Sequence, residues 1–123
     1  MPIPILKQGQ VLVVCMHAAM TDHDLVQLQD NLAKQIGASR SRGVVIDVSA
    51  LDVLDSFASR TLRGIAQTTW LRGARTIVVG IQPEVAFAMV QLGLLMEGVE
   101  TALDLEEGIE LVAARMEERC SHD

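Results

Sequence analysis

Aromatic residues are scarce in this sequence: they make up 2% of the chain, and tyrosine is absent. Phe57, Trp70 and Phe87 stand far apart, so the chain has no cluster of rings on which bases or sugars could stack. Even residues 11–16, an entirely apolar run, fall far short of the about 20 residues of a membrane-spanning helix. Polybasic runs are lacking too. These absences argue against nucleic-acid and membrane partners and predict a cytoplasmic protein.

The motifs of common enzyme and cofactor sites are also missing. There is no glycine-rich nucleotide motif, no G-x-S-x-G sequence and no H-E-x-x-H sequence. Cys15 and Cys120 are far apart and predict reduced thiols rather than a C-x-x-C pair. His17 and His23 lack the spacing of metal ligands on a helix. We therefore expect no enzymatic activity, no cofactor and no metal.

The charges that are present divide along the chain. Acidic residues outnumber basic ones by 16 to 10, which gives a formal net charge of −6. Basic residues concentrate between Lys34 and Arg75, whereas the chain from Glu84 onward is strongly acidic. Such poles can steer docking to a partner or to a second copy, although separate solvated helix faces explain the same pattern.

A length of 123 residues with 50% hydrophobic content fits one domain, residues 1–123. Short β-branched runs alternate with segments of helical periodicity after an initial hairpin, in the order β-β-α-β-α-β-α-β-α. The predicted strands are residues 3–7, 11–16, 43–48, 76–79 and 99–102. The helices are expected to begin near four points: Thr21 or Asp22, Asp55 or Ser56, Pro83, and Asp104. The first three are expected to end near Gly37, Gly73 and Gly93. This pattern predicts an α/β fold, a mixed and mostly parallel sheet with helices mainly on one face, in a single layer.

The most informative segment joins the third strand to the second helix, residues 47–60. A helix start offers free N–H groups and partial positive charge, so it would tolerate a phosphoryl group on Ser56. Arg60 and Arg63 are near enough in sequence to contact such a group. An alternative is that Ser56 only caps the helix through its hydroxyl, and spacing alone does not separate the two.

At these residues the sequence resembles the STAS domain, the fold of bacterial anti-sigma-factor antagonists. The family pattern is a strand, Asp-hydrophobic-Ser/Thr, a loop, and Asp-Ser at a helix start; residues 47–49 and 55–56 match it. Phe57 and Ala58 depart from the usual small polar residue and glycine, and this departure is similar to the stressosome scaffolds of the RsbS type. Residues 3–7, 80–86 and 100–108 are similar to the same branch.

The resemblance implies a non-enzymatic scaffold and negative regulator. It would self-associate, assemble with RsbR-type STAS proteins, and hold an RsbT-type serine/threonine kinase. Ser56 would be the phosphoacceptor whose modification releases the kinase, and an RsbX-type phosphatase would reset it. Partner contacts would involve Asp55, Phe57, Ser59, Arg60 and Arg63. Ser59 and Thr61 are poorer acceptors because neither falls at the serine position of the family.

Three alternatives stay open. The first is a simple anti-sigma-factor antagonist that binds an anti-sigma kinase with the same Ser56 switch. The second is a phospho-receiver domain that uses Asp47, although an acidic pair beside the first strand and a late lysine are missing. The third is a lipid or nucleotide carrier on the same fold, although no phosphate cradle is visible.

Overall fold

The structure is a computed structural model that describes residues 3–91 and 99–121, with side chains described as far as Glu117. It contains the predicted nine elements in the predicted order. The strands are β1 (Ile5–Gln8), β2 (Val11–His17), β3 (Gly43–Ala50), β4 (Arg75–Val79) and β5 (Val99–Ala102). The helices are α1 (Asp22–Ser39), α2 (Ser56–Leu71), α3 (Pro83–Gln91) and α4 (Leu105–Ser121). The predicted stop of α3 at Gly93 lies outside the described residues.

The five strands form one sheet in the order β1-β2-β3-β4-β5, which is also their order along the chain. β1 and β2 pair as an antiparallel hairpin in which Ile5 lies opposite Val14. The remaining pairs are parallel, and the central strand β3 aligns Ile46 with Val14 on one side and with Val78 on the other. The predicted mixed, mostly parallel sheet is therefore confirmed.

The helices lie mainly on one face of the sheet, as predicted. Each of the three crossovers, through α1, α2 and α3, moves to the next strand in the same direction, so right-handed connections place all three helices on the same side of the sheet. Leu28, Leu62 and Val85 of these helices share one buried cluster with Ile46 of β3. A single helix layer is wrong, however, because α4 covers the opposite face through the fully buried Val112. α4 follows the last strand, so no crossover fixes its side.

α4 lies close to the sheet because the residue of α4 that faces β4 is a glycine, Gly108. A Cβ atom on Gly108 would collide with the side chain of Val79 in β4. Asp104 begins the helix as predicted, since its Oδ1 accepts a hydrogen bond from the Glu107 N–H at 2.9 Å. No helix among residues 3–91 and 99–121 is long and apolar enough to cross a bilayer.

The end of α1 differs from the prediction. Gly37 remains inside the helix, which continues to Ser39, and Arg40 takes the left-handed conformation with φ of 52°. The Arg40 N–H donates a hydrogen bond to the Ile36 carbonyl and closes the last turn. Gly37 is instead a point of close approach, because a Cβ atom there would meet the guanidinium of Arg72.

Candidate functional site

The parallel strands β2 to β5 all end at one edge of the sheet, and the segment singled out in the sequence lies there. Asp47, near the end of β3, accepts a hydrogen bond from the Ser49 N–H at 2.9 Å through its Oδ1. The Gln82 side chain, from the loop after β4, donates to the Ser49 carbonyl at 2.6 Å. Gly80 has φ of 74°, and a Cβ atom on it would lie 2.8 Å from the Ser49 Cβ. The loop after β4 is thus fastened to the end of β3.

The loop from β3 to α2 is held by its leucines. Leu51 and Leu54 are buried in the cluster under α1 and α2, and the Leu51 N–H donates to the Val48 carbonyl at 3.0 Å. Asp52 and Val53, between the leucines, are exposed. Burial of two side chains separated by two residues fixes the path of the backbone into α2.

Asp55, not Ser56, caps α2. The Asp55 backbone is extended and its Oδ1 accepts a hydrogen bond from the Ala58 N–H at 2.7 Å, which is the geometry of an N-cap. Ser56 is the first residue of the helix and is exposed. Its hydroxyl has no hydrogen-bond partner among the described residues, so the cap leaves it accessible to solvent.

The other two hydroxyls of this helix turn are occupied. Ser59 is only 2% exposed, and its Oγ donates to the Asp55 carbonyl at 2.8 Å. The prediction that Ser59 contacts a partner is therefore corrected: its side chain is bonded inside the helix and presents no surface. Thr61 is likewise buried and donates to the Phe57 carbonyl at 2.9 Å. Phe57 itself is half-buried and packs against the core beneath α2.

Arg60 and Arg63 lie on the same exposed side of α2 as Ser56. At about 100° per residue, positions four and seven residues further along fall within about 40° of Ser56 around the helix axis. Both arginines are exposed, and neither forms an ion pair with any residue the structure describes. The structure thus brings together Ser56, Arg60 and Arg63, and it places Asp55 beside them.

A cleft of about 300 Å³ opens next to Asp55, between the loop after β2 and the loop before α2. Its polar lining is His17, Asp22, Asp52 and Asp55, and apolar side chains including Leu25 and Leu51 form its floor. Within the described part of the chain, no group of three or more histidine, cysteine, aspartate or glutamate residues is placed to hold a metal ion.

Asp47 does not have the surroundings of a phospho-receiver aspartate. One of its carboxylate oxygens is engaged by the Ser49 amide. The two lysines of the chain are elsewhere: Lys7 lies on the edge strand β1, and Lys34 pairs with Asp30 on α1 at 3.0 Å. Without a nearby ammonium group, an acyl phosphate on Asp47 would lack electrostatic support.

Gln82 and Gly80 help to position the candidate site through their contacts with Ser49, and sequence reasoning did not place them there. They entered only as part of a segment that resembles the family. The hydrogen bond from Gln82 to Ser49 joins positions 33 residues apart, so no local sequence pattern predicts it. The one usable signal was Gly80 directly after a predicted strand, where glycine often permits a close backbone approach.

Comparison with known proteins agrees with this architecture. The STAS domain model matches residues 2–108. A serine-to-glutamate variant of RsbS from Moorella thermoacetica is 33% identical, with a TM-score of 0.84 over 94% of this chain and 97% of that one. A structure described as the molecular architecture of the stressosome, a signal integration and transduction hub, is 35% identical, with a TM-score of 0.80 over 92% of this chain and 98% of that one.

The chain therefore belongs to the STAS-domain family, and its fold is that of the stressosome and anti-sigma-factor antagonist members. Among curated relatives, the RsbT co-antagonist protein RsbRA of Bacillus subtilis is 30% identical over 84 residues, which are 68% of this chain. The match spans only 31% of the length of RsbRA.

Proposed function

We propose that this protein is a stressosome scaffold of the RsbS type and a negative regulator. It assembles with RsbR-type STAS proteins and with copies of itself, holds an RsbT-type serine/threonine kinase, and releases that kinase when Ser56 is phosphorylated. An RsbX-type phosphatase removes the phosphate. The protein acts by binding and not by catalysis.

The observation that carries this proposal is the exposed hydroxyl of Ser56 on a rigid helix start. The Ser56 hydroxyl is not needed as the helix cap, because the Asp55 side chain caps the helix. The neighbouring Ser59 and Thr61 hydroxyls are buried and hydrogen-bonded to backbone carbonyls. Ser56 is thus the accessible acceptor of this turn, and it stands at the serine of the family motif. The likeness to RsbS and to the stressosome, each at more than 90% coverage of this chain, supports the scaffold role.

A phosphate at Ser56 is suited to change binding more than folding. It adds about −1.5 to −2 charges next to the carboxylates of Asp52 and Asp55. At a helix N-terminus this charge is favourable by only about 0.3–1 kcal/mol, so the stability of the fold changes little. At a docked interface, repulsion and desolvation reach several kcal/mol, and each 1.4 kcal/mol is about tenfold in affinity.

The test is phosphorylation by the cognate RsbT-type kinase with ATP, followed by intact-mass analysis. Wild type is expected to gain one phosphoryl group, and Ser56→Ala none. Ser49→Ala is the matched control, because Ser49 is an exposed serine at the same edge of the sheet and its loss leaves modification intact. A phosphate on Ser56→Ala would refute the site.

Release is tested with the same proteins. Ser56→Ala is expected to retain the kinase in the presence of ATP, whereas Ser56→Asp binds it more weakly than wild type. Equal retention by wild type, Ser56→Ala and Ser56→Asp would contradict the switch.

Co-assembly separates a scaffold from a simple anti-sigma-factor antagonist. Mixed with an RsbR-type protein, a scaffold elutes as one large complex on size exclusion, whereas an antagonist stays small and binds an anti-sigma kinase instead. A small species in the mixture would exclude the scaffold function and leave the antagonist.

A further inference from the structure

The exposed side of α2 is basic in a chain that is acidic overall. No acidic residue occurs from Ser56 to Leu71, whereas the net charge of the chain is −6. Two other arginines are already engaged: Arg75 of β4 and Arg115 of α4 both pair with Glu100 of β5, at 3.8 and 2.7 Å. Arg60 and Arg63 differ from them, since no carboxylate in the described ranges lies within ion-pair distance of either. Two guanidinium groups are therefore available to a partner.

We propose that Arg60 and Arg63 bind carboxylates on the partner that docks against α2, and that a phosphate on Ser56 expels this partner by binding Arg60 within the same helix. The inference rests on the proposed function, because it takes Ser56 to be the modified residue. It adds the chemistry of the partner, which is an acidic protein surface, and the means of release.

Helix geometry assigns the phosphate to Arg60. Side chains four residues apart are neighbours, with about 5–6 Å between their Cβ atoms, so the Arg60 guanidinium can donate two hydrogen bonds to phosphate oxygens on Ser56. Arg63 lies about 10 Å from Ser56 along the helix axis, almost two turns away, and is a weaker partner for the phosphate. A dianion at Ser56 would cancel the local charge of the two arginines, so the surface would lose its attraction for carboxylates.

A second copy of the chain is the competing occupant. Helix α4, on the opposite side of the sheet, carries the exposed Glu106, Glu107 and Glu110. These carboxylates could meet the exposed arginines of α2 in another molecule. We favour the docked partner because Ser56 lies on the same exposed side of α2 as Arg60 and Arg63, so the modified atom and the arginines share one surface.

The intramolecular pair is tested without any kinase. Phosphoserine is placed at position 56 of the full chain by genetic encoding, and phosphorus NMR follows its second ionisation, whose pKa is ordinarily about 6. An adjacent guanidinium favours the dianion, so Arg60→Gln is expected to raise this pKa by about 0.2–0.4 unit, as for an exposed ion pair four residues apart on a helix. A smaller rise is expected in Arg63→Gln. Arg72→Gln, at the far end of α2, is the matched control and should leave it unchanged. Identical values in wild type and Arg60→Gln would overturn the pair.

The partner surface is tested by the affinity of unmodified protein for the RsbT-type kinase. Arg60→Gln and Arg63→Gln are expected to weaken binding about tenfold each and to reduce its salt dependence, while Arg72→Gln does neither. The effect of the phosphate should also be smaller in Arg60→Gln than in wild type. Undiminished expulsion in Arg60→Gln would overturn the inference. The inference would also be overturned if the arginine variants bound the kinase as wild type does but showed altered self-association in sedimentation. That result would identify a second copy of the chain as the occupant.

The role of Ser56 and the role of Arg60 are tested separately. If the kinase leaves Ser56 unmodified, the proposed function is wrong, and the phosphorus titration still decides whether Arg60 binds the phosphate. If Ser56 is phosphorylated and the kinase leaves, but Arg60→Gln behaves like wild type, the proposed function stands and only this inference fails.

Discussion

The side-chain amide of Gln82 donates a hydrogen bond to the main-chain carbonyl of Ser49, with 2.6 Å between nitrogen and oxygen. This bond joins the residue before α3 to the end of β3, directly before the loop that leads into α2. The N–H of Ser49 donates a hydrogen bond to Asp47 Oδ1 at 2.9 Å. Both polar groups of the Ser49 backbone are therefore fixed by side chains. The position of the helix that carries Ser56 thus depends on contacts from two neighbouring strand ends.

Gln82→Ala is expected to loosen this loop. Loss of one hydrogen bond to the backbone costs about 0.5–1.5 kcal/mol in the free energy of unfolding. Hydrogen exchange at the Leu51 amide, which is bonded to the Val48 carbonyl in the same turn, should accelerate. Gln67→Ala, an exposed glutamine of α2, is the control and should change neither quantity. Equal behaviour of the two variants in urea unfolding and in exchange would contradict the role of Gln82.

Gly80→Ala is expected to destabilise the protein more than Gly9→Ala. Both glycines have positive φ, 74° and 61°, so an alanine at either position is strained by about 1–2 kcal/mol. A Cβ atom on Gly9 meets nothing within 4 Å, whereas one on Gly80 would lie 2.8 Å from the Ser49 Cβ. The comparison of urea unfolding therefore isolates the steric part. A cost for Gly9→Ala equal to that for Gly80→Ala would show that Ser49 yields freely.

The elements of the fold were predictable because their signals are local. The β-branched runs of β2, β3 and β4 and the helical spacing of α1 and α2 are each contained in a short window. The second face of the sheet was not predictable in this way. Right-handed crossovers constrain α1 to α3, but nothing comparable constrains a helix that follows the last strand, so α4 was assigned to the wrong layer.

The candidate site was predictable only in part, for a similar reason. The Asp55-Ser56 pair at a helix start is a local pattern, and the structure decides which of the two residues is the cap. The prediction of a partner contact for Ser59 failed because a serine one turn into a helix can donate a hydrogen bond to the carbonyl four residues earlier. The sequence does not show whether the side chain forms this bond or faces solvent. The Gln82 contact depends on which loops the sheet brings together.

Asp24 gives the stability of the protein a specific dependence on pH. Thr21 and Asp24 form a reciprocal pair at the start of α1: the Thr21 N–H donates to Asp24 Oδ2 at 3.0 Å, and the Asp24 N–H donates to Thr21 Oγ1 at 3.1 Å. The hydrogen bond from the Thr21 backbone lowers the pKa of Asp24 below its ordinary value of 3.8. A carboxyl whose pKa is lower in the folded state stabilises the fold above its unfolded pKa, and this contribution is lost as the pH falls through the folded value.

Asp24→Asn should therefore reduce stability at neutral pH and have progressively less effect in acid. The difference in free energy of unfolding between wild type and variant is expected to be constant above about pH 5 and to shrink below about pH 4. Asp30→Asn is the control, since its exposed pair with Lys34 contributes little at any pH. A difference for Asp24→Asn that does not vary with pH would rule out the lowered pKa.

Asp55 has two predicted roles that substitutions can separate. As the cap of α2 it contributes about 0.5–2 kcal/mol, which Asp55→Ala should lose and Asp55→Asn should largely keep, because the amide oxygen still accepts the Ala58 N–H. As a predicted partner contact it contributes a negative charge, which both variants remove.

Asp55→Asn is therefore the informative variant: we expect nearly wild-type urea unfolding together with altered affinity for the kinase. Ser56→Ala is the control for the cap, because the first helical position tolerates alanine and the Asp55 to Ala58 bond remains. If Asp55→Asn binds the kinase as wild type does while Asp55→Ala binds weakly, Asp55 acts only by holding the helix start on which Ser56 is presented. If Asp55→Asn unfolds as easily as Asp55→Ala, the cap depends on the charge as well as on the hydrogen bond.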